Sequence, residues 1–242
     1  MNPIFYHLFY RPILNLLVFF VHYLPGHDLG LAILFLTLFI KLLLHPLTLK
    51  SLKDQKRMAE LQPKIKEIQK KYNKDSEKLT QETLKLFQEE KINPFLGFFL
   101  LFFIQLPVLS ALFFILKNLN NLNFNDLYFF TPKITKINPF SLGFLDLSKS
   151  FLTFTGGKTI YYWPALPLLF LSLLAYFFQT KIQQKESNAP SQRLQENTFY
   201  FLFGITSIFL IFFPSAIAFY WLVISIFSLI EQRSVFKIQK NG

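Results

Sequence analysis

The sequence of 242 residues contains no cysteine. Disulfide bonds, thiolate catalysis and cysteine-based zinc or iron-sulfur sites are therefore excluded. The chain also has no HExxH zinc motif, no Gly-rich phosphate loop and no nucleophile elbow, and no pair of carboxylates lies within an apolar run. The sequence accordingly predicts a protein that is not an enzyme and that has no metal site and no cofactor.

Acidic residues are scarce as well, with 14 Asp and Glu against 25 Lys and Arg. A basic balance can indicate a nucleic-acid partner, but 52% of the residues are hydrophobic and 19% are aromatic. Several apolar runs approach the roughly 20 residues that a helix needs to cross a bilayer core. In a membrane protein, basic residues set orientation and contact anionic headgroups. We therefore predict an all-α polytopic membrane protein with membrane lipids as partners and no DNA partner.

Five transmembrane helices are predicted, at residues 29–49, 93–117, 160–180, 197–213 and 214–236. The segment after the first of them, residues 50–92, has 12 basic and 8 acidic residues among 43. Its apolar residues recur at steps of three and four, a pattern that indicates an antiparallel helical hairpin in water. Pro63 predicts a break near Gln62, and Asp75 or Ser76 is predicted to cap the second helix.

Residues 1–28 are long enough to span but include polar residues such as His7, Arg11 and Asn15. This pattern favours an amphipathic helix at the membrane interface, with a sixth span as the alternative. Nothing in this segment resembles a cleavable signal peptide, so we expect it to be retained.

The distribution of basic residues predicts the orientation of the chain. Residues 118–159 hold four Lys, whereas the hairpin segment of similar length holds 12 Lys and Arg. Because loops rich in basic residues stay in the cytoplasm, the hairpin, the loop 181–196 and the tail 237–242 are expected there. The loop 118–159 and the N-terminus are then extra-cytoplasmic.

Several of the predicted spans carry a polar face. In the first span, Thr37, Lys41, His45 and Thr48 are separated by four, four and three positions, so they share one face of a helix. Comparable stripes are Ser172, Tyr176 and Gln179 in the third span and Trp221, Ser225, Ser228 and Gln232 in the fifth, while Gln105 is isolated in the second. Lipid cannot form hydrogen bonds with such faces, so they are expected to turn toward one another or toward water.

Lys41 is the residue of greatest interest in these stripes. It lies nine positions before Lys50, or about 13 Å deeper along a helix, which exceeds the reach of a lysine side chain toward the interface. Glu231, near the end of the last span, is the only acidic residue within the predicted spans, so an internal ion pair is not expected. A hydrated cavity around a functional Lys41 is the favoured interpretation, with a lysine that merely extends toward the interface as the alternative. We expect His45 to be an interface residue, and Gln105 to be either a cavity residue or a link between helices.

The chain resembles the YidC/Oxa-type membrane protein insertases, in a short form without the large extra-cytoplasmic domain of some members. The resemblance covers nearly the whole chain. It rests on TLFIKLLLHPLT (37–48), LQPKIKEIQKKY (61–72), EEKINP (89–94), IQLPV (104–108), FLDLS (144–148), YYWP (161–164) and FPSAIAFYW (213–221), in this order.

The resemblance implies five core transmembrane helices, a cytoplasmic hairpin and a hydrophilic groove open to the cytoplasm and to lipid. Lys41 stands where the family usually has arginine, and Thr37 and Gln105 match further groove positions. With the polar stripes, the expected groove residues are Lys41, Thr37, Gln105, Tyr176 and Ser225. A hydrophobic slide for the substrate is expected along the second and fourth spans, at Phe102, Leu106, Phe203 and Phe209.

The activity implied is insertion of nascent transmembrane segments from the cytoplasm into the bacterial inner membrane. The implied partners are nascent membrane proteins, the ribosome and, as an optional partner, the Sec translocon. The alternative from another class is a small transporter or channel for an anionic solute, with Lys41 as its binding charge. Such a protein commonly has inverted repeats or discontinuous spans, and neither is visible in this sequence.

Overall fold

A computed structural model of the chain describes residues 2–73, 75–93, 96–119, 122, 124–134, 136–186 and 192–238. Within these ranges, the backbone alone is described for residues 97–98, 101–102, 124, 183–186, 192–199 and 235–238. The described part is predominantly helical. We number its helices α1, Pro3–Tyr23; α2, Leu29–Glu60; α3, Gln62–Lys71; α4, Ser76–Glu89; α5, made of Leu96–Phe99, π-helical Leu100–Gln105 and Leu106–Lys117; α6, Leu166–Glu186; α7, Gln192–Phe212; and α8, Ser215–Ile238.

Four of these helices, α1, α2, α6 and α8, are long and apolar enough to cross a membrane, and α5 and α7 add shorter apolar stretches. Helix α8 packs against both α6 and α2, while α2 packs against α1, and α6 against α7. The result is a bundle with two distinct ends. We call the end from which α3 and α4 extend the hairpin end, and the other the strand end.

The dense hydrophobic core lies in the half of the bundle at the strand end. Its fully buried members come from the first two turns of α2, the last turns of α5 and the first turns of α8, together with α1 and the segment between α5 and α6. They include Leu14, Leu17, Ile33, Leu36, Leu112, Ile115, Ile137, Leu147 and Ile217. Because all these elements converge at the strand end, that half of the bundle is closed by packed side chains.

Helix α2 is 32 residues long, or about 48 Å, so it extends well beyond the roughly 30 Å of a bilayer core. It continues through Pro46 and ends at Glu60, and Pro63 lies in the first turn of α3, where its missing N–H costs nothing. Asp75, one of the two caps predicted, accepts a hydrogen bond from the Lys78 N–H at the start of α4. Helices α3 and α4 pack through a small cluster that contains Leu61, Ile65, Leu86, Phe87 and Ile92.

Two short antiparallel β-hairpins occur between α5 and α6, where the sequence predicted only a loop. Strands β1 (Phe140–Ser141) and β2 (Leu145–Asp146) form the first, and β3 (Leu152–Thr155) and β4 (Lys158–Tyr161) form the second. The predicted start of a helix at residue 160 is therefore wrong. Gly156 and Gly157 provide the positive φ angles of the turn between β3 and β4. Ile160 therefore pairs with Thr153 in this hairpin, and α6 begins only at Leu166.

Helix α1 crosses the strand end of the bundle. Phe5 makes an edge-to-face contact with Phe114, near the end of α5, and Phe20 contacts Phe35 in the second turn of α2. Between these contacts, Asn15 accepts hydrogen bonds from the Tyr128 N–H at 2.6 Å and from the Thr131 hydroxyl at 2.7 Å. Asn15 is thus 2% exposed and binds the adjoining loop. Helix α1 is long and apolar enough to span a membrane, and its interfacial position stays a prediction.

Candidate functional site

A cavity of about 460 Å³, lined by both polar and apolar side chains, occupies the half of the bundle at the hairpin end. Five helices contribute to it: α2, α5, α6, α7 and α8. Four of the five groove residues predicted from the sequence line it, namely Thr37, Lys41, Gln105 and Tyr176. Leu202 of α7 also lines it and is 50% exposed, so the cavity reaches the surface of the bundle beside α7.

Lys41 extends across this cavity from α2 to α8. Its ammonium donates a hydrogen bond to Oγ of Ser228 at 2.9 Å and lies 5.9 Å from the centre of the Phe227 ring. Among the described residues it has no ion pair. The charge is therefore held by a neutral acceptor and an aromatic face, and it remains available to an anionic group that enters the cavity.

Glu231 is the acidic residue closest to this site, and sequence reasoning discounted it. Its side chain is 4% exposed and lines the cavity. Oε1 lies 2.6 Å from Nδ1 of His45 and accepts a hydrogen bond from the Thr48 hydroxyl at 2.9 Å. His45, whose side chain is 42% exposed, thus contacts a buried carboxylate of α8, a contact that the sequence did not predict. Its position at the membrane interface stays a prediction. The stripe of α2 thus meets α8 twice, at Ser228 and at Glu231.

Gln105 and Tyr220 form the floor of the cavity toward the strand end. Nε2 of Gln105 donates a hydrogen bond of 3.1 Å to the hydroxyl of Tyr220, which is 1% exposed. The two interpretations of Gln105 from the sequence both apply, since it lines the cavity and links α5 to α8. Sequence reasoning did not single out Tyr220. A signal for it was present, because Tyr220 and Trp221 form a pair of adjacent aromatic residues in the last predicted span.

An aromatic wall lines the side of the cavity formed by α6. The Tyr176 ring is nearly parallel to that of Phe203, with centroids 5.8 Å apart, and it meets Trp221 edge to face at 5.9 Å. Thr37, on the opposite side, is 1% exposed, and its hydroxyl donates to the Ile33 carbonyl at 2.6 Å. These contacts hold the side chains around Lys41 in fixed positions.

Ser225 is not among the residues that line the cavity. It is fully buried within α8, and its hydroxyl has no hydrogen-bond partner among the described residues. Ile224 and Ser228 line the cavity instead. The predicted polar stripe of α8 is thus present, but Ile224 and Ser228, on either side of Ser225, form the wall of the cavity.

The residues predicted for the hydrophobic slide occupy different environments. Leu106 is 39% exposed, whereas Phe203 and Phe209 are half-buried, Phe209 against Phe213. The side chain of Phe102 lies outside the described residues. Among the side chains that the structure describes on these two helices, the large exposed apolar ones are Phe99, Phe103, Leu106 and Phe114 on α5 and Tyr200, Phe201, Leu202, Ile205, Ile208 and Phe212 on α7.

Comparison with known proteins identifies similarity over most of the chain. The family model of the 60Kd inner membrane proteins matches residues 20–241. The chain is 30% identical to the membrane protein insertase YidC of Magnetococcus marinus over 96% of this chain and 36% of that protein. It is 32% identical to the YidC proteins of Endomicrobium trichonymphae, over 92% of this chain and 38% of that protein, and of Pseudoalteromonas translucida, over 88% and 34%. The chain thus spans about a third of the length of these curated relatives.

Proposed function

Because the chain belongs to the family of 60Kd inner membrane proteins, the YidC/Oxa family, we propose that it inserts nascent transmembrane segments into the lipid bilayer. It is a multi-pass protein of the bacterial inner membrane, as its family and its apolar helices indicate. The hairpin end faces the cytoplasm in this proposal. The support for that orientation is the excess of basic residues in segment 50–92 over segment 118–159.

The observation that carries the proposal is a cavity in only half of the bundle, where Lys41 is the one lysine among the described lining residues. Packed side chains close the strand end, whereas the cavity reaches the surface beside Leu202. A polar segment can therefore enter from the hairpin end without opening a path through the bundle. Such an asymmetric groove suits a protein that transfers a chain partway and then releases it sideways.

In the proposed mechanism, the short polar or acidic leading segment of a substrate enters the groove near Lys41. The ammonium, held by Ser228, attracts a carboxylate more strongly there than in bulk water, because the surrounding helices lower the local dielectric constant. Thr37, Gln105 and Tyr176 line the path of the segment. The interaction lasts only until the apolar part of the substrate reaches lipid.

The apolar part of the substrate then moves along the exposed faces of α5 and α7. Phe103 and Leu106 on α5, and Phe201, Ile205 and Ile208 on α7, present this surface. Phe203 and Phe209 support it from behind. Each buried CH₂ group contributes about 0.8 kcal/mol, so a whole transmembrane segment has ample driving force for entry into lipid, with no nucleotide required.

The helical hairpin, residues 61–90, is the proposed first contact of the nascent chain and of the ribosome. Its surface has many exposed lysines, including Lys66 and Lys70 on α3 and Lys85 on α4. Clustered lysines suit ribosomal RNA or anionic lipid headgroups. The Sec translocon is proposed as an optional partner, so the protein works either alone or beside it.

Insertion of a defined single-span substrate into vesicles that contain only this protein tests the proposal. Lys41→Glu should impair substrates with an acidic leading segment, while Lys41→Arg should retain activity because the charge and hydrogen-bond donors persist. Lys158→Glu makes the same charge change on the exposed strand β4, away from the groove and the helical hairpin, and serves as the matched control. Equal rates for the Lys41→Glu and Lys41→Arg proteins would contradict a role for Lys41, and flux of an anionic solute without insertion would favour a transporter.

A further inference from the structure

The hairpin end of the groove contains a second polar feature besides Lys41. The Glu231 carboxylate is buried, and its hydrogen bonds from Thr48 and contact with His45 both engage Oε1. Oε2 is therefore available for a further donor within the described part of the chain. A carboxylate removed from bulk water without full compensation is costly, so this arrangement requires a reason.

The neighbouring Gln232 supplies an independent observation. It lines the same cavity, it is 2% exposed, and its Oε1 has no hydrogen-bond partner among the described residues. Buried side-chain oxygens are nearly always paired in native structures. If Glu231 served only to join α2 to α8 through His45 and Thr48, the adjacent oxygen would have no reason to remain unpaired. Two acceptors side by side instead suit a donor that arrives from outside.

The separation of these acceptors from Lys41 follows from their contacts on α2. Lys41 reaches Ser228, whereas His45 and Thr48, four and seven positions further along the helix, reach Glu231. At about 1.5 Å per residue, the acceptors lie roughly 5–10 Å closer to the hairpin end than the ammonium, with the lower bound from Ser228 to Glu231 along α8 and the upper from Lys41 to Thr48 along α2. An extended peptide covers that distance in two or three residues, at about 3.3–3.6 Å each.

We propose that Glu231 and Gln232 form a second subsite of the groove, which binds a lysine, arginine or amide N–H donor of the substrate while Lys41 binds its carboxylate. The inference rests on the proposed insertase function and specifies its substrate class. A segment that enters from the hairpin end with its N-terminus first places its acidic residue at Lys41 and a donor two or three residues behind it at Glu231. The preferred leading segment therefore has the order acid, spacer, donor.

Insertion rates of matched substrates into vesicles containing the purified protein test this second subsite. The substrates share one transmembrane segment, and their N-terminal leading segments carry Asp-Ala-Ala-Lys, Asp-Ala-Ala-Ala or the reversed order Lys-Ala-Ala-Asp. Wild-type protein should insert the first about tenfold faster than the third, since a charge-assisted hydrogen bond in a partly buried site contributes that much. Equal rates for the first and third substrates would overturn the proposal.

The variant Glu231→Gln should remove the advantage of Asp-Ala-Ala-Lys while it leaves Asp-Ala-Ala-Ala within twofold of its wild-type rate. Lys158→Gln also removes a single charge, but from the exposed strand β4, away from the groove and the helical hairpin, and should alter neither rate. Equal losses on all substrates with Glu231→Gln would mean that Glu231 only joins the two helices, and would refute the subsite.

A charge exchange distinguishes binding from folding. Glu231→Lys should insert Asp-Ala-Ala-Glu better than Asp-Ala-Ala-Lys, which inverts the wild-type order, whereas a residue with a purely structural role would give no such inversion. Absence of the inversion in a variant that remains monodisperse in detergent overturns the proposal. If wild-type protein inserts none of the substrates, the insertase proposal itself fails, and the second subsite fails with it.

Discussion

The ammonium of Lys41 donates a hydrogen bond of 2.9 Å to Oγ of Ser228, a residue 187 positions later in the chain. This bond crosses the groove and joins α2 to α8. It also resolves how a lysine is accommodated far from the expected interface. The side chain is held within the cavity by a neutral partner, and among the described residues it forms no ion pair with a carboxylate.

Ser228→Ala removes the acceptor that positions the Lys41 ammonium. The charge remains, but the side chain can turn toward water at the hairpin end, so insertion of substrates with acidic leading segments should slow by about three- to tenfold. Initial insertion rates in vesicles measure the effect. Ser228→Thr should restore the rate because it restores the hydroxyl. Ser234→Ala removes a hydroxyl of the same helix that bonds only the Ile230 carbonyl, and a loss as large there would contradict a specific role for Ser228.

Gln105→Leu leaves the buried hydroxyl of Tyr220 without the hydrogen bond that Gln105 now donates. An unpaired buried polar group costs about 1–3 kcal/mol, so the variant should denature at lower temperature in detergent. The double variant Gln105→Leu with Tyr220→Phe should recover most of the loss, since neither partner then remains unpaired. A double-mutant cycle on the denaturation midpoints checks this prediction, and strictly additive effects of the two changes would refute it.

Asp28 connects the start of α2 to the β1–β2 hairpin. Its carboxylate accepts hydrogen bonds from the Leu31 N–H at 2.9 Å, the Ser141 hydroxyl at 2.9 Å and the Leu142 N–H at 2.7 Å. Asp28→Ala should therefore lower the free energy of unfolding by about 1–2 kcal/mol through the lost helix cap alone. Asp75→Ala removes a cap of the exposed helix α4 and is the matched control, with a smaller effect on the whole bundle.

The contribution of Asp28 should also depend on pH. Burial raises the pKa of this carboxyl, but the hydrogen bonds from Leu31, Leu142 and Ser141 outweigh it, and the net pKa lies below the ordinary value of 3.8. A carboxyl with a lowered pKa in the folded state stabilises the fold fully above its unfolded pKa, and this stabilisation is lost as pH falls through the folded value. The difference in denaturation midpoint between wild type and Asp28→Asn should thus be constant above about pH 5 and shrink below pH 3.8. A difference that grows on acidification would contradict a lowered pKa of Asp28 in the folded protein.

Gly30 makes a close approach to the β1–β2 hairpin that no larger residue can replace without movement. A Cβ atom at this position would lie 2.2 Å from Oγ and 2.9 Å from Cβ of Ser141. Gly30→Ala should destabilise the strand end by about 1–3 kcal/mol, as overpacking does. Combining it with Ser141→Gly should restore part of the loss. Thermal denaturation of the two single variants and the double variant measures this coupling, and absence of any rescue would mean that the clash is relieved elsewhere.

The proposed orientation can be tested with single cysteines, because the chain has none of its own. Lys158→Cys lies in strand β4 and Lys85→Cys in α4, and both positions are exposed. A membrane-impermeant maleimide applied to spheroplasts, in which the inner membrane stays intact, should label the Lys158→Cys protein and spare the Lys85→Cys protein. Permeabilisation should then expose the second. The reverse pattern would invert the assignment of the hairpin end to the cytoplasm.

The sequence by itself determined the features that arise within one helix or one turn. The four-residue spacing of Thr37 and Lys41 predicted a shared polar face, Asp75 a helix cap and Pro63 a helix start, because each depends only on neighbours in the chain. The family was also recognisable from ordered motifs. These local signals sufficed for the helical class, and four of the five residues predicted for the groove line the cavity.

Only the tertiary structure decided which polar faces meet. The contact of His45 with Glu231 joins residues 186 positions apart, and that of Asn15 with Thr131 joins residues 116 apart. Helical periodicity gives the direction of a side chain relative to its own axis, but it contains no information on the rotation or depth of the helix opposite. For that reason the sequence placed Ser225 in the groove and discounted Glu231, whereas packing of α8 against α2 buries Ser225 and turns Glu231 toward the cavity.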